Sequence, residues 1–200
     1  MATSSSERPL RADAQRNHDR IIGAAHEAFA ELGLEVTMEE IARRAEVGAA
    51  TLYRRFSSKQ ELLRAIFETR LAELEPEIAA ALAAPDPWEG LLIGMRALLD
   101  IQARNMAFVQ VLAQAGELTE LKRELGQRVF VPLLDLFAAA QASGQLRADL
   151  DPFELPVLMG MVATTIPRHE HCTTSFGWQR YLALLADALR TPEPSALPEH

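Results

Sequence analysis

The chain has 200 residues, 48% of them hydrophobic, and its formal net charge is −8. This length allows one or two domains with a sizeable core, and no apolar run approaches the ~20 residues that a membrane-spanning helix needs. The single cysteine, Cys172, cannot form an internal disulfide, which favours a reducing compartment. The composition therefore predicts a folded cytoplasmic protein and argues against a membrane-inserted or disulfide-stapled one.

The first predicted helix runs from about residue 14 to residue 32, where Gly33 is a typical C-terminal signal. Residues 1–13 and 192–200 are rich in serine or proline and are expected to be flexible tails. Helical periodicity dominates the remainder of the chain, and no segment shows convincing strand alternation.

Residues 37–56 have the pattern of a helix-turn-helix. Thr37 is a candidate N-cap, and Glu40 three residues later would complete a capping box. Apolar residues follow at helical spacing until a short interruption, after which Leu52 and Phe56 resume the apolar face four residues apart. The second helix of such a motif can enter the major groove of DNA.

The charge distribution agrees with a DNA contact confined to this segment. Residues 1–71 contain 11 basic and 11 acidic residues, so the whole net charge of −8 resides in residues 72–200. Between Arg43 and Lys59 there are five basic residues and one acidic residue, Glu46. A locally basic face is what attraction to phosphate requires, and the acidic remainder should repel DNA.

These residues resemble the DNA-binding signature of the TetR/AcrR family of transcriptional regulators. The matching residues are Ile41-Ala42, Val47-Gly48, Thr51-Leu52-Tyr53, Phe56, Lys59 and Leu62-Leu63, preceded by Ile21-Ile22, Ala25, Phe29 and Gly33. The match covers about residues 16 to 70. The chain departs from the family pattern at Glu46, where the family often has glycine, and at Glu39, where a basic residue would suit DNA better.

The resemblance implies that the second helix of the motif contacts DNA. Ala49, Ala50, Arg54 and Arg55 are candidate base readers, because alanine can meet a thymine methyl and arginine can bind guanine with two hydrogen bonds. Which arginine reads bases and which binds phosphate is left open. The candidate DNA-binding residues are Thr37, Gly48, Ala49, Ala50, Thr51, Tyr53, Arg54, Arg55 and Lys59. The alternative is an ordinary three-helix packing unit with a solvated polar face.

Further helices are predicted after the motif. They span about residues 58–84 with a kink at Pro76, 88–104 with a bend at Asn105 and a short continuation, 118–143 with a kink at Pro132, 152–166 after the N-cap Asp151, and 176–189. The predicted fold is all-α. An N-terminal three-helix head with the helix-turn-helix, residues 14–57, is joined by a long helix to a helical ligand-binding and dimerisation domain, residues 58–191.

The middle helices are rich in methionine and aromatic residues. Most of these should form plain core, but the resemblance adds a ligand cavity, and such side chains suit an apolar or amphipathic small molecule. The candidate pocket residues are Trp88, Met95, Leu99, Gln102, Met106, Phe108, Phe130, Phe137 and Met159.

The last two predicted helices are strongly apolar along one face. The resemblance implies that two subunits join through this pair of helices, and the alternative is that the face packs within its own chain. The candidate dimer-interface residues are Leu158, Val162, Trp178, Tyr181, Leu182 and Leu185.

Catalysis has little support in the sequence, because it contains no nucleophile elbow, no glycine-rich phosphate loop and no Glu-x-x-His pattern. We expect no catalytic residue, no metal site and no cofactor. The sequence predicts a homodimeric repressor that binds double-stranded operator DNA and is released by an unidentified small-molecule inducer. The cluster from His169 to Cys172 leaves a metal- or thiol-sensing regulator as one alternative, and Glu39 and Glu46 leave a helical binding protein without DNA affinity as another.

Overall fold

The computed structural model describes residues 7–114, 119–166, 177–190 and 197, whose regular secondary structure is helical with no strand among them. No helix in this part of the chain is long and apolar enough to cross a membrane. The helices are α1 (Glu7–Leu32), α2 (Met38–Arg44), α3 (Ala49–Arg55), α4 (Lys59–Leu82), α5 (Pro87–Gln114), α6 (Thr119–Leu125), α7 (Val131–Ala142), α8 (Leu155–Ala163) and α9 (Trp178–Leu189). Short 3-10 turns span Gly33–Glu35 and Pro152–Glu154.

Two predicted boundaries near the N-terminus and in the middle of the chain are wrong. α1 begins at Glu7, earlier than the predicted start near residue 14. α5 is assigned as one α-helix from Pro87 to Gln114, so the segment predicted to follow Asn105 as a short separate continuation is part of the same helix. Asparagine is only a mild helix breaker, and the good helix formers around Asn105 outweigh it.

The predicted helix over residues 118–143 is three segments. α6 ends at Leu125, a π-helix spans Gly126–Phe130, and α7 begins at Val131. Pro132 lies in the first turn of α7, where its missing N–H costs little, and the wide π turn before it relieves the clash that its ring would cause in a continuous α-helix. The sequence predicted a kink at Pro132. The structure instead has a π-helix in the five residues before α7.

The described residues divide into two units, which lie within Met1–Thr69 with Ala107–Leu118 and within Arg70–Met106 with Thr119–His200. The first unit has a core to which α1, α2, α3 and α4 all contribute side chains that are at most 1% exposed. These are Ile21, Ala25, Ala28, Phe29, Ile41, Leu52, Leu62 and Ile66. Burial of each isoleucine, leucine and phenylalanine in this set stabilises the unit by roughly 1.5–3 kcal/mol relative to exposure, and each alanine contributes less.

The second unit is built around a close approach between helices. A Cβ atom added at Gly90 of α5 would overlap the carbonyl oxygen of Ala81 in α4, and one added at Gly94 would overlap the side chain of Leu133 in α7. Glycine therefore lets α5 lie in direct contact with both neighbours. The core around it includes Leu91, Met95, Leu99, Leu133 and Phe137, none of which is exposed.

The predicted N-cap at Asp151 is confirmed. Its carboxylate accepts a hydrogen bond from the Phe153 N–H at 2.8 Å, and Glu154 accepts one from the Asp151 N–H at 2.9 Å. This capping box fixes the chain direction into α8.

Candidate DNA-binding site

The first helix of the motif, α2, begins as predicted at the N-cap Thr37, whose hydroxyl accepts a hydrogen bond from the Glu40 N–H at 3.2 Å. The second half of the predicted capping box is absent, because the Glu40 carboxylate binds the guanidinium groups of Arg43 and Arg44 instead. Hydrogen bonds from Arg43 and then Arg44 lower the pKa of Glu40 to about 2. Arg44 also pairs with Glu31 at 2.7 Å, which links α2 to α1.

The turn of the motif ends α2 with a Schellman pattern. The Glu46 N–H donates to the Arg43 carbonyl at 3.2 Å, and the Val47 N–H donates to the Ala42 carbonyl at 3.0 Å. This pattern requires a left-handed backbone at Glu46, whose φ is 52°. Glycine is the usual residue at such a position because a Cβ atom is strained there.

Arg20 of α1 supports this turn. One of its guanidinium nitrogens donates to the Ala45 carbonyl at 2.7 Å and to the Glu46 carbonyl at 3.1 Å, and it lies 3.7 Å from the Glu46 carboxylate. These bonds satisfy carbonyl groups left open at the end of α2. Arg20 was not among the sequence candidates, since nothing in its local pattern separates it from any other basic residue of α1.

The recognition helix, α3, is positioned by its N-cap and by its buried face. Gly48 is its N-cap, and the Gly48 carbonyl accepts hydrogen bonds from the Thr51 and Leu52 N–H groups at 2.8 and 3.1 Å. Leu52 is 0% exposed and Phe56 is 4% exposed, which confirms that they form the inward face. The opposite face is exposed at Gly48, Ala49, Ala50, Tyr53, Arg54 and Arg55, whereas Thr51 is half-buried.

Tyr53 connects the two helices of the motif on their exposed side. Its phenol O–H donates to the Glu39 carboxylate at 3.0 Å. The pKa of Glu39 is lowered by its backbone hydrogen bond and then by Tyr53, while the hydrogen bond to Glu39 raises the pKa of Tyr53. The hydroxyl of Tyr53, a candidate DNA-binding residue, therefore already donates its proton to a negatively charged group of the same protein.

Lys59, at the first position of α4, donates to the Leu34 carbonyl at 2.6 Å. An ammonium group has three donors, so two are left for other acceptors. The start of α4 is capped by Ser58, whose hydroxyl accepts from the Glu61 N–H at 3.2 Å, while the Glu61 carboxylate accepts from the Ser57 N–H at 2.6 Å.

The residues predicted to form a ligand pocket belong to the second unit, except Phe108, which belongs to the first. Trp88, Met95, Leu99, Phe137 and Met159 are buried, whereas Gln102 and Phe130 are half-buried. The side chains of Met106 and Phe108 lie outside the described part of the chain. A cleft of about 520 Å³ in the same unit is lined by other residues of α4 and α5: Glu73, Glu77, Ile93, Arg96, Ala97, Asp100, Ile101 and Arg104.

The predicted dimer-interface residues are mostly turned towards their own chain. Val162, Trp178 and Leu182 are buried, and Leu158, Tyr181 and Leu185 are half-buried. The exposed apolar side chains near them are Phe153, Val157 and Met161 at and within α8 and Leu184 of α9. The cluster from His169 to Cys172 lies outside the described residues, and the described residues contain no group of three metal-binding side chains.

Comparisons with known proteins agree with this site. The sequence model of the family described as bacterial regulatory proteins, tetR family, matches residues 21–66, which span the motif and its supporting helices. A crystal structure of a TetR transcription regulatory protein from Mycobacterium vanbaalenii is 35% identical over 92% of this chain and 100% of that one, with a TM-score of 0.59. The TetR regulator SCO0520 from Streptomyces coelicolor is 29% identical over 89% and 99%, with a TM-score of 0.57.

A curated relative, the HTH-type transcriptional regulator SrpR of Pseudomonas putida, is 28% identical over 149 residues, which are 72% of this chain and 70% of that protein. The buried motif with its exposed basic helix defines a DNA-binding transcriptional regulator of the helix-turn-helix class. The chain belongs to the TetR family of bacterial regulators, as its signature residues predicted. These relatives are regulators and not enzymes.

Proposed function

We propose that the protein is a dimeric repressor that binds a specific operator through α3 and leaves it when a small molecule binds. The observation that carries the DNA-binding part is the division of α3 into a buried face, Leu52 and Phe56, and an exposed face with two arginines. Residues at the N-terminal end of a recognition helix contact base edges, which assigns base reading to Ala49 and Ala50. Phosphate contact is assigned to Tyr53, whose O–H would exchange the Glu39 carboxylate for a phosphate oxygen on binding.

Selection of duplexes from a random pool by the purified protein tests this assignment. We expect a preferred sequence with two half-sites, and log K should fall steeply with log salt concentration. Replacing Tyr53 by phenylalanine should weaken selected and unrelated duplexes alike and leave the salt slope unchanged, because a neutral hydroxyl is lost. If no sequence is enriched and the affinity for DNA does not change with salt concentration, the proposed function is wrong.

The dimer is proposed to form through the exposed apolar surface of α8 and α9. Val157 and Met161 lie one helical turn apart on α8 and are 64% and 63% exposed, and Leu184 of α9 is 55% exposed. Large exposed apolar side chains in a group are typical of protein interfaces. A two-fold dimer would also present two recognition helices to a palindromic operator.

Light scattering of Met161→Glu and Leu184→Glu tests this interface. Both variants should be monomeric at micromolar concentration and thermally stable, and they should bind the operator poorly, because a charge in an apolar interface is costly. Leu182→Glu is the matched control. Leu182 is buried within its own chain, so a charge at this position should destabilise the fold itself and lower the thermal stability. Dimers that persist in both surface variants would place the interface elsewhere.

The inducer is proposed to be an amphipathic small molecule that binds in the second unit. The 520 Å³ cleft is within the range of small-molecule sites. It combines apolar side chains, Ile93 and Ala97, with the charged groups of Glu77, Arg96 and Asp100. A ligand with different affinity for two conformations of the dimer would change operator affinity about 5- to 150-fold, and the effect is reciprocal.

Filling this cleft provides the test. Ala97→Trp should abolish the response to an inducer found by screening, while ligand-free binding to the operator stays normal. Met95→Leu, a conservative change at a buried position outside the cleft lining, is the matched control. If Ala97→Trp responds to a confirmed inducer as the wild type does, the inducer binds at another place.

A further inference from the structure

The DNA-binding unit contains a second feature besides the exposed face of α3. A cleft of about 370 Å³ lies between α1 and α3. It is lined by Asn17, His18 and Ile21 from α1 and by Thr51, Arg54 and Arg55 from α3. His18, Arg54 and Arg55 carry nitrogen donors that bind anions strongly.

The two arginines of the cleft are not neutralised by the protein. Arg54 and Arg55 are exposed, and neither forms an ion pair with another described residue. Arg43 and Arg44 of α2 differ, because both are bound to the carboxylate of Glu40. The cleft therefore contains two guanidinium groups whose donors are available to a ligand.

His18 adds a third nitrogen donor to the lining of the cleft. Its ring packs against Phe56 with 5.6 Å between the ring centres, and its Nδ1 is buried without a hydrogen-bond partner among the described residues. A proton on Nδ1 would be buried without an acceptor, so the neutral ring carries its proton on Nε2. Burial and then the charge of Arg55 lower the pKa of His18, while Asp19 opposes them. The ring is thus a neutral Nε2–H donor at physiological pH.

The position of the arginines on α3 indicates which part of DNA they meet. They occupy its last turn, whereas base edges are contacted from the N-terminal end of a recognition helix while neighbouring helices cross the sugar–phosphate backbone. Guanidinium groups bind phosphate with paired hydrogen bonds. We propose that the cleft binds one phosphate group of the DNA backbone, between the Arg54 and Arg55 guanidinium groups and His18 Nε2–H. This inference rests on the proposed DNA-binding function and assigns both arginines to the backbone.

A bound phosphate would also change the protonation of His18. Its negative charge favours the imidazolium form, in opposition to the cost of a proton on the buried Nδ1, so the pKa of His18 is higher in the complex than in the free protein. Protons are then taken up on binding, and affinity rises as the pH falls through this interval. The charged groups around the ring are Asp19 on α1 and Arg54 and Arg55 on α3, and Phe56 packs against the ring.

Fluorescence anisotropy with a selected duplex and an unrelated duplex tests the site. Arg54→Gln and Arg55→Gln should each lower the salt slope by about one for both duplexes and leave base preference intact. His18→Leu should weaken both duplexes about tenfold, the loss of one hydrogen bond to a charged group. His18→Gln keeps a donor, so it should bind nearly as the wild type at about pH 8 and lack the rise in affinity at about pH 6.

Arg64→Gln is the matched control, because Arg64 is an exposed arginine of the same unit that pairs with Glu68. It should change affinity little. Thermal unfolding of each variant shows whether a loss of binding is a loss of folding. A changed preference at one base pair in either arginine variant, or unchanged affinity in folded His18→Leu, overturns the proposal.

Two further readouts separate the alternatives. The ring-nitrogen NMR signals of His18 should shift when the duplex is added and stay in place with inorganic phosphate at the same concentration. Saturation by inorganic phosphate without displacement by the duplex would overturn the proposal in favour of a free-anion site. Absence of DNA binding by the wild type would instead defeat the proposed function itself.

Discussion

Replacing Glu46 by glycine should stabilise the DNA-binding unit. Glu46 has the left-handed backbone of the Schellman turn after α2, with φ at 52°. Glycine has no Cβ atom and adopts this conformation without strain. The hydrogen bonds from Arg20 would survive the substitution, because both end on backbone carbonyl oxygens.

The size of the effect follows from three contributions. The left-handed conformation costs a residue with a side chain about 1–2 kcal/mol. The larger freedom of glycine in the unfolded chain offsets roughly 0.4–1 kcal/mol of this gain. The ion pair between Arg20 and Glu46, at 3.7 Å and between exposed groups, contributes less than about 1 kcal/mol. The expected net stabilisation is about 0.5 kcal/mol.

Urea unfolding followed by circular dichroism measures this difference, with Glu46→Ala as the matched control. Alanine removes the same charge and keeps the strained Cβ atom, so this variant should be no more stable than the wild type. Both variants should bind DNA more tightly to a similar extent, because both remove a negative charge from the basic segment. If Glu46→Ala is stabilised as much as Glu46→Gly, charge and not backbone strain is the cause.

Three shorter predictions follow from other contacts. Gly90→Ala should destabilise the protein by about 1–3 kcal/mol in urea unfolding because its Cβ meets a backbone carbonyl, whereas Gly23→Ala, with open space around it, should stabilise by roughly 0.5–1 kcal/mol. The pKa of Glu40 is lowered from 4.5 to about 2, so its contribution to stability is present above pH 4.5 and is lost as the pH falls towards about 2. Glu40→Gln should flatten thermal stability over that interval. Glu39→Gln should tighten binding to all duplexes in anisotropy by removing a negative charge beside Tyr53; unchanged affinity would place Glu39 away from DNA.

Local spacing predicted the DNA-binding motif because its determinants are local. Leu52 and Phe56 are four residues apart, so any α-helix places them on one face, and the N-cap at Thr37 depends only on the next three residues. The contacts of Arg20 with the turn and the position of His18 beside α3 were missed, because each depends on which part of α1 lies against the motif. That choice is made by tertiary packing, which local spacing does not contain.

The helices of the second unit show a different limit. The stripe with Trp178 and Leu182 was predicted from its apolar spacing, but spacing alone does not say which molecule covers a stripe. The structure buries these two residues within the chain and exposes Val157, Met161 and Leu184 nearby. Residue type also could not show which methionine and aromatic residues fill the core and which line a ligand cavity, because such side chains occur in both places.

The π-helix between α6 and α7 determines which side chains of α7 face the core. A π turn takes one residue more than an α turn, so it rotates every later side chain by about 100° relative to an uninterrupted helix. Leu133, Phe137 and Ala140 are buried on the face that this rotation produces. Deleting one residue within Gly126–Phe130 would restore a regular helix and carry all three out of the core. The apolar residues of α7 are therefore in register with the core only because the π turn precedes them.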